Sequence, residues 1–379
     1  MTGATPLEEV LLERIRTQGA QPFAAFMSTA LYHPKFGYYA GGEQRTGWRG
    51  HYLTSAELDP AFGALWTEAF ERMWVACGRP NRFDLIEVGP GEGGFVAAVL
   101  ETASGEFADA LQVTLVERVA RVQERQRQRL TGITNVGWVS SLDEVGPIDA
   151  GCIFANEVID NLPVHLVEVR DGALREICVE EEDRRLLFTR RPPSNPELEN
   201  FLQRAGVVLG EGHTYEVSLT AEALVSRAAT MIGCGALVLT DYGAEAGSLA
   251  ERTDGTLLCY SDTGVDTEPL ERVGEKDLTV HANWTTLRKA AEAGALTVAG
   301  PITQRDVLRS LGSRAQDEEL KSEHDRALAE RRGSAAMKAL SRRQALGALT
   351  DPQGLGGLGV LIATRGFEPG LVTEERGRG

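Results

Sequence analysis

The stretch Phe83-Asp-Leu-Ile-Glu-Val-Gly-Pro-Gly-Glu-Gly-Gly94 decides the fold class of this chain. Leu85, Ile86 and Val88 make its first half apolar, and the residues after the glycines are spaced as in a helix. A strand, a glycine turn and a helix in this order form the crevice in which an open α/β sheet binds a nucleotide. The turn needs glycine because a Cβ would keep the ligand away from the backbone, and Pro90 stiffens the turn.

The glycines alone do not identify a ligand. Gly89, Gly91 and Gly94 also match the G-x-G-x-x-G pattern of dinucleotide sites, an S-adenosylmethionine site uses a similar turn, and some tight turns bind nothing. Glu87 precedes the first glycine by two residues, where it can accept a hydrogen bond from the amino end of S-adenosylmethionine. Glu117 ends the next apolar run and suits the two hydroxyls of a ribose, a feature that NAD enzymes share.

The composition is that of a soluble globular protein. The 379 residues suffice for one large domain with insertions or for two domains. The sequence has no apolar stretch of about 18 residues, and its net charge of −16 gives no excess positive field for a nucleic-acid backbone. We therefore expect neither a membrane nor a nucleic acid as partner. The lack of a basic-then-apolar leader predicts a cytoplasmic protein.

The cysteines and histidines predict no metal site. The five cysteines are scattered and form no C-x-x-C pair, which argues against a disulfide framework and against zinc. Cys152 and Cys234 lie next to apolar, strand-like runs and are expected to be core thiols. The six histidines show no metal-binding spacing.

Strand and helix patterns alternate from Phe83 onwards, which predicts a mainly parallel sheet with right-handed crossovers. Helices precede this region, and a capping box at Thr5-Pro-Leu-Glu8 begins the first of them. The predicted segments are an N-terminal helical cap at 1–80, the first half of a Rossmann-like cofactor-binding core at 81–163, an inserted β-ribbon and helix at 164–212, the second half of the core at 213–300, a helical excursion at 301–357, and a final core strand and tail at 358–379.

A second motif, Phe154-Ala-Asn-Glu157, brings polar groups to the carboxyl edge of the predicted sheet. A carboxylate beside an amide carbonyl can hold an amine or a guanidinium by hydrogen bonds and direct its lone pair at a methyl group. Asn156 and Glu157 are therefore candidate catalytic residues. The alternative is that both merely cap the following helix.

Motifs spread over residues 6–367 together resemble the MidA-like methyltransferases, a family that includes a mitochondrial complex I assembly factor that methylates a protein arginine. The motifs are Tyr32-His-Pro-Lys-Phe-Gly-Tyr-Tyr39, Glu87-Val-Gly-Pro-Gly-Glu-Gly93, Leu142-Asp-Glu-Val145, Ala155-Asn-Glu157, Asp160-Asn-Leu-Pro-Val-His165, Asp241-Tyr-Gly243, Gly255-Thr-Leu257 and Gly274-Glu-Lys-Asp-Leu-Thr279 with His281.

The resemblance implies an α/β, class I methyltransferase (Rossmann-like) fold with a mostly parallel seven-stranded sheet, an N-terminal helical cap, a β-ribbon insertion and a helical excursion before the last strand. It implies S-adenosyl-L-methionine as the cofactor, S-adenosyl-L-homocysteine as the product and no metal. Ser141 and Leu142 would lie near the adenine, and Thr54 and Ser55 would close over the cofactor. The implied cofactor-binding residues are Thr54, Ser55, Glu87, Gly89, Pro90, Gly91, Gly93, Glu117, Ser141, Leu142 and Asn156.

The implied catalytic residues are Glu157, Asn156, Asp160 and His281. His281 has two interpretations, a proton shuttle or a half-buried histidine at a strand end. Tyr38, Tyr39 and Trp48 would form an aromatic wall for a substrate side chain or belong to the core.

We predict an S-adenosylmethionine-dependent methyltransferase of a protein side chain, with an arginine nitrogen as the first candidate, in a chain that can form a homodimer. Ala244, Asn283 and Trp284 depart from the family pattern where acceptor contacts are expected, as do Ala56 and Glu92 elsewhere. The alternatives are a small-molecule N- or O-methyltransferase and a non-catalytic assembly or binding factor. An NAD-dependent oxidoreductase fits the glycines but gives the Asn-Glu motif no role.

Overall fold

The computed structural model describes residues 5–41 and 54–373. These residues divide into two compact units, each assembled from separate stretches of the chain. The core unit contains residues 54–156, 227–242 and 291–373, and the accessory unit contains residues 5–41, 157–226 and 243–290. None of the helices described is both long enough and apolar enough to cross a bilayer. The division of the chain into consecutive segments, from 1–80 to 358–379, stays a prediction.

A mixed seven-stranded sheet forms the centre of the core unit. Neighbours among β1 to β5 run parallel, whereas β7 runs antiparallel to both β5 and β6. The order across the sheet is β6-β7-β5-β4-β1-β2-β3. The α/β class predicted from the sequence is thereby confirmed. The strands are β1 (Phe83–Val88), β2 (Leu111–Val116), β3 (Val136–Val139), β4 (Ile148–Asn156), β5 (Ile232–Asp241), β6 (Thr297–Thr303) and β7 (Gly359–Arg365).

The strand order reverses between β1 and β4, which fixes the place of a ligand crevice. From β1 the chain passes to β2 and β3 on one side, then crosses over to β4 and β5 on the other. Crevices of open α/β sheets lie at such a switch point, outside the carboxyl ends of the strands. Seven consecutive residues of β4, from 150 to 156, are buried, because an interior parallel strand is covered on both faces.

Helices cover this sheet through an aromatic cluster around Phe154. The ring of Phe154 stacks on Phe95 at 4.5 Å between centroids and meets the edge of Trp66 at 4.9 Å. The helices of the core unit are Ser55–Leu58, Ala61–Ala76, Gly94–Thr102, Gly105–Ala110, Ala120–Arg129, Gln304–Ser310, Ser313–Ala329, Gly333–Leu349 and Gly370–Thr373, with 3-10 turns at Leu142–Glu144 and Leu355–Gly357.

The accessory unit is built on an antiparallel sheet that contains the predicted ribbon. The sheet comprises Gln21–Pro22, His165–Arg170, Ala173–Glu182, Arg185–Arg191 and Thr214–Val217. Smaller strand sets are Leu258–Ser261 with Gly264–Asp266 and Asp277–Thr279, and Gly243–Ala244 with Ala282–Asn283. Its helices are Pro6–Gln18, Phe23–Tyr32, Glu197–Ala205 and Ala246–Ala250, with 3-10 turns at Tyr38–Ala40 and Ile159–Asn161. Two of the unit boundaries fall within helices Leu219–Met231 and Trp284–Ala293.

The first helix begins as the sequence predicts. The Thr5 hydroxyl accepts a hydrogen bond from the Glu8 amide at 3.1 Å, and the Glu8 carboxylate accepts one from the Thr5 amide at 2.8 Å. This reciprocal pair satisfies two amides that a helix N-terminus leaves without partners.

The expectation of a core thiol at Cys234 is wrong. Cys234 forms a disulfide with Cys77, which ends the helix Ala61–Ala76, and the two Cα atoms are 5.8 Å apart. The pair is 157 residues apart in sequence, so spacing could not reveal it. Cys152 is buried and has a free thiol, as predicted.

Replacing Phe154 by alanine should destabilise the core unit by about 3–5 kcal/mol, because the side chain is fully buried and its loss leaves a cavity between helices and sheet. Urea unfolding followed by circular dichroism measures this change. The control is Val75→Ala at a half-exposed position, which should cost about 0.5 kcal/mol or less. Equal effects of the two substitutions would contradict the packing described.

Candidate functional site

The glycine turn lies at the carboxyl end of β1, beside the end of β4. Gly89, Gly91 and Gly93 have φ angles of 64°, 53° and 80°, a region that strains residues with a Cβ. The Gly89 amide donates to the carbonyl of Val116 at 3.0 Å, which ties the start of the turn to β2. The turn therefore exposes backbone at the edge of the sheet, as the sequence predicts.

Glu87 is a buried carboxyl group directly before this turn. Its residue is 3% exposed, and its Oε2 atom has no hydrogen-bond partner among the described residues. Burial raises the pKa of Glu87 to about 8, and the neighbouring carboxylate of Glu57 adds to the rise. A carboxyl group in such a place is neutral near pH 7 unless a cationic ligand stabilises the charged form. The amino group of S-adenosylmethionine is a ligand of that kind.

Glu117 follows β2 at the same edge of the sheet. Its Oε1 atom accepts a hydrogen bond from the amide of Val119 at 2.7 Å, which fixes the orientation of the carboxyl group. Burial raises the pKa of Glu117 to about 7, against the lowering effect of that bond and of nearby arginines. A fixed acceptor at the second strand end is the arrangement that binds ribose hydroxyls in nucleotide sites.

The residues expected near the adenine form a short capped turn after β3. The Ser141 hydroxyl accepts from the amide of Asp143 at 3.2 Å, and the Leu142 side chain is buried. Ser141 thus shapes the backbone at this position, and Leu142 offers an apolar surface.

Thr54 and Ser55 lie at the start of the short helix Ser55–Leu58, and both are buried. The Ser55 hydroxyl hydrogen bonds the amide group of Gln304 at 3.1–3.2 Å. Gln304 also donates to the carbonyl of Leu349 at 3.1 Å. Ser55 therefore connects this helix to the C-terminal part of the core unit. Residues 42–53, with the predicted wall residue Trp48, lie outside the described residues.

Helix Ala120–Arg129 holds the glycine turn in place, which the sequence did not reveal. Gln126 donates to the carbonyl of Gly91 at 2.7 Å, and Arg125 makes a two-pronged ion pair with Glu92 at 2.7–3.1 Å. The Trp138 indole donates to Gln126 at 3.1 Å and orients its amide. Glu92 departs from the family pattern, and its ion pair with Arg125 gives this glutamate a structural role.

Asn156 and Glu157 follow each other at the end of β4. Asn156 is 9% exposed and pairs in register with Thr240 on β5. Glu157, the first residue of the accessory unit, has a φ of 53°. A left-handed glutamate is costly, and such outliers concentrate at functional sites. The next helix is a short 3-10 turn, Ile159–Asn161, whose N-cap position is Val158. The catalytic role of Asn156 and Glu157 and the capping alternative both stay predictions.

Asp160 and His281 belong to the same part of the accessory unit. The carbonyl of Asp160 accepts from the amide of Val280 at 2.9 Å, and Asn161 donates to Asp277 at 3.0 Å. His281 is half-buried, and burial lowers its pKa. Its Nδ1 atom is buried and has no hydrogen-bond partner among the described residues. The proton shuttle and the half-buried histidine at a strand end both stay predictions.

Tyr39 contributes to this arrangement from the N-terminal segment of the accessory unit. Its hydroxyl donates to the Asp277 carboxylate at 3.2 Å, and its ring stacks on Tyr32 at 5.5 Å and meets Tyr38 edge-on. Tyr38 is fully buried and belongs to the core of this unit.

Within the described ranges no group of three or more His, Cys, Asp or Glu side chains could hold a metal ion.

Asn283 and Trp284 are structural side chains. Asn283 is 5% exposed, donates to the Tyr215 hydroxyl at 2.9 Å and accepts from the amide of Thr286 at 3.3 Å. Trp284 is buried, and a Cβ on Gly243 would lie 2.6 Å from its indole nitrogen. Ala244 pairs with Asn283 in a short parallel bridge.

The fold and the turn define a nucleotide-cofactor enzyme of the α/β class. Residues 65–302 match the family described as "Putative S-adenosyl-L-methionine-dependent methyltransferase", and the chain belongs to this family. It is therefore an S-adenosylmethionine-dependent methyltransferase, and S-adenosylmethionine is its cofactor. Glu87 fits that cationic cofactor, because its buried Oε2 atom lies beside the glycine turn and has no hydrogen-bond partner within residues 5–41 and 54–373.

Similar proteins agree with this assignment. The chain is 28% identical over 348 residues to the mitochondrial protein arginine methyltransferase NDUFAF7 of Rattus norvegicus, covering 81% of this chain and 74% of the relative. The Homo sapiens protein of the same name gives the same identity and coverage. A Burkholderia thailandensis protein crystallised with S-adenosyl-homocysteine is 25% identical, with a TM-score of 0.82 over 97% of this chain and 96% of that chain. The predicted family and the α/β methyltransferase fold are confirmed.

The expectation of a cytoplasmic protein is contradicted by these relatives, which are mitochondrial by name. That expectation depended on the absence of a recognisable leader, and a negative sequence pattern is weak evidence of location.

Replacing Glu87 by glutamine should change the pH dependence of stability. A carboxyl group with a pKa of about 8 in the folded chain and 4.5 in the unfolded chain contributes stability fully below pH 4.5 and loses it as the pH rises through about 8. Across this window the free energy of unfolding of the wild type should fall by up to about 1.4 kcal/mol per pH unit, and that of the variant should fall less. Urea unfolding at a series of pH values measures both slopes.

The control is Glu124→Gln on the exposed face of helix Ala120–Arg129, which should leave the wild-type slope unchanged. If Glu87→Gln and the wild type lose stability in parallel, Glu87 is not the neutral buried acid described.

Proposed function

We propose that this enzyme methylates an arginine side-chain nitrogen of a protein. The observation that carries the proposal is Glu157, a glutamate in the left-handed conformation directly after β4. The relatives named protein arginine methyltransferase match 81–84% of this chain, which supports a protein acceptor. Asn283 and Trp284 are buried in structural roles, so their departure from the family pattern is compatible with the same acceptor.

The cofactor-binding roles belong to the class I methyltransferase arrangement, in which the seven-stranded, mostly parallel sheet presents its strand ends to the ligand. We assign the amino group of the cofactor to Glu87, its ribose to Glu117, and its adenine to the turn at Ser141 and Leu142. The backbone of the turn from Gly89 to Gly93 faces the methionine part.

When bound, S-adenosylmethionine supplies an electrophilic methyl carbon on a positively charged sulfur. The acceptor nitrogen must present a lone pair along the reaction axis and lose a proton. Alignment of this kind supplies much of the rate enhancement of a displacement reaction. The Glu157 carboxylate is suited to hold a guanidinium by charge-assisted hydrogen bonds, and the Asn156 carbonyl to orient the nitrogen that reacts.

Asp160 and His281 are proposed as groups that hold or move the released proton. Burial lowers the pKa of His281, so its imidazole is neutral near pH 7 and able to accept a proton. Its buried Nδ1 atom, which has no hydrogen-bond partner in the part of the chain that the structure describes, is consistent with that role. Asp160 is 7% exposed and is joined to this segment by the bond from Val280.

Glu157→Gln should lower methyl transfer about 100-fold or more while the affinity for S-adenosylmethionine changes little, because the carboxylate serves the acceptor. Incubation with labelled cofactor and host lysate, followed by separation of proteins from small molecules and acid hydrolysis, should give labelled methylarginine. Calorimetry with S-adenosylmethionine checks that the variant still binds the cofactor.

The control is Glu199→Gln on the exposed face of helix Glu197–Ala205, which should keep wild-type labelling. Label in the small-molecule fraction alone would replace the proposal by a small-molecule methyltransferase. Label in protein on a residue other than arginine would change the acceptor.

Cofactor binding should release about one proton near pH 7, because a cationic amino group beside Glu87 stabilises the charged form of a group whose pKa is about 8 without ligand. Calorimetry in buffers of different ionisation enthalpy counts the protons. Glu87→Gln should remove most of the release, whereas Glu124→Gln should keep it. Identical binding enthalpies in all buffers for the wild type would exclude this role of Glu87.

A further inference from the structure

The N-terminus of the helix after the glycine turn is occupied by a side chain of the protein itself. The amide of Gly94, the first residue of helix Gly94–Thr102, donates to Oε1 of Glu57 at 3.1 Å. The other carboxylate oxygen accepts from Arg129 at 3.1 Å. The Glu57 side chain is 6% exposed, so this carboxylate is a buried and fixed part of the core unit.

The space at this helix end is filled. A Cβ added to Gly94 would lie 2.9 Å from Oε2 and 3.0 Å from Oε1 of Glu57. In dinucleotide-binding sheets the pyrophosphate lies at this place, because the exposed amides and the helix dipole attract an anion. Here the same amide already has an anionic partner. A phosphate would have to displace it or lie beside a buried negative charge.

We propose that Glu57 is the residue that selects the charge of the bound cofactor. Its carboxylate closes the helix N-terminus to phosphate-bearing nucleotides. The same charge favours the positively charged methyl donor over the demethylated product.

Both effects have one electrostatic cause. S-adenosylmethionine carries a sulfonium charge that S-adenosyl-homocysteine lacks, while a pyrophosphate adds negative charge. A buried carboxylate attracts S-adenosylmethionine more than S-adenosyl-homocysteine, and it repels pyrophosphate. These effects are appreciable because charges in a protein interior are screened less than in water. The effect of Glu57 on the pKa of Glu87 indicates that its field extends to a carboxyl group assigned to the cofactor.

Arg129 sets the strength of this field. Its guanidinium forms an ion pair with Glu57, and its side chain is 45% exposed. Solvent therefore screens the arginine more than it screens the carboxylate. Removing the arginine should strengthen the negative field, and removing the carboxylate should abolish it.

The test compares Glu57→Gln with the wild type by calorimetry. The glutamine oxygen can still accept from Gly94, so the substitution removes charge with little change of shape. We expect the affinity for S-adenosylmethionine to fall at least about fivefold, with the affinity for S-adenosyl-homocysteine changing less than about twofold. Inorganic pyrophosphate should bind the variant at least about fivefold more tightly than the wild type. The pH midpoint of proton release by Glu87 should move to a lower value.

Equal losses for the donor and the product would make Glu57 a purely structural residue and overturn the proposal. An unchanged pyrophosphate affinity would overturn its anion-excluding part. Glu101→Gln removes an exposed acid of helix Gly94–Thr102, the helix whose N-terminus Glu57 occupies. This matched control should leave all three affinities unchanged.

Arg129→Met keeps the proposal testable if Glu57→Gln fails to fold, which thermal unfolding would reveal. This variant should change the preference in the opposite direction and raise the ratio of donor to product affinity about twofold or more. A ratio that stays constant or falls would overturn the proposal.

Discussion

The structure depends on the burial of a carboxyl group at the end of the strand that leads into the glycine turn. Glu87 is 3% exposed, and burial raises its pKa to about 8. A buried acid without a partner costs stability whenever it ionises. A positively charged ligand offsets this cost, because it stabilises the ionised form of the carboxyl group. A turn of glycines beside it leaves room for such a ligand against the backbone.

The rest of the core unit holds that turn in a conformation it would not keep alone. Three residues of helix Ala120–Arg129 make these contacts: Arg125 pairs with Glu92, Gln126 donates to the carbonyl of Gly91, and Arg129 donates to Glu57. These contacts are charge-assisted or buried, so they hold the backbone of the turn in place. One helix and one edge of the sheet therefore form a rigid frame around the proposed cofactor site.

The proposed acceptor-binding residue of the accessory unit lies on irregular backbone. Glu157 has a left-handed φ, and the neighbouring 3-10 turn is joined to the strand Asp277–Thr279 through Asn161. Such a segment persists only where its surroundings determine it. Elsewhere in the unit, Asn283 donates a buried hydrogen bond to the Tyr215 hydroxyl. This residue, which differs from the family pattern, therefore has a structural partner within the unit.

The sequence by itself determined the strand–turn–helix at Phe83–Gly94, the alternation that gives an α/β sheet, and the capping box at Thr5, because these depend on local periodicity and on glycine conformation. Only the tertiary structure decided that Glu57 closes the helix at Gly94 and that Cys77 joins Cys234. The first contact joins residues that are 37 positions apart, and the second joins residues that are 157 positions apart. Local sequence patterns cannot predict such long-range contacts, because they form only when whole helices pack against the sheet.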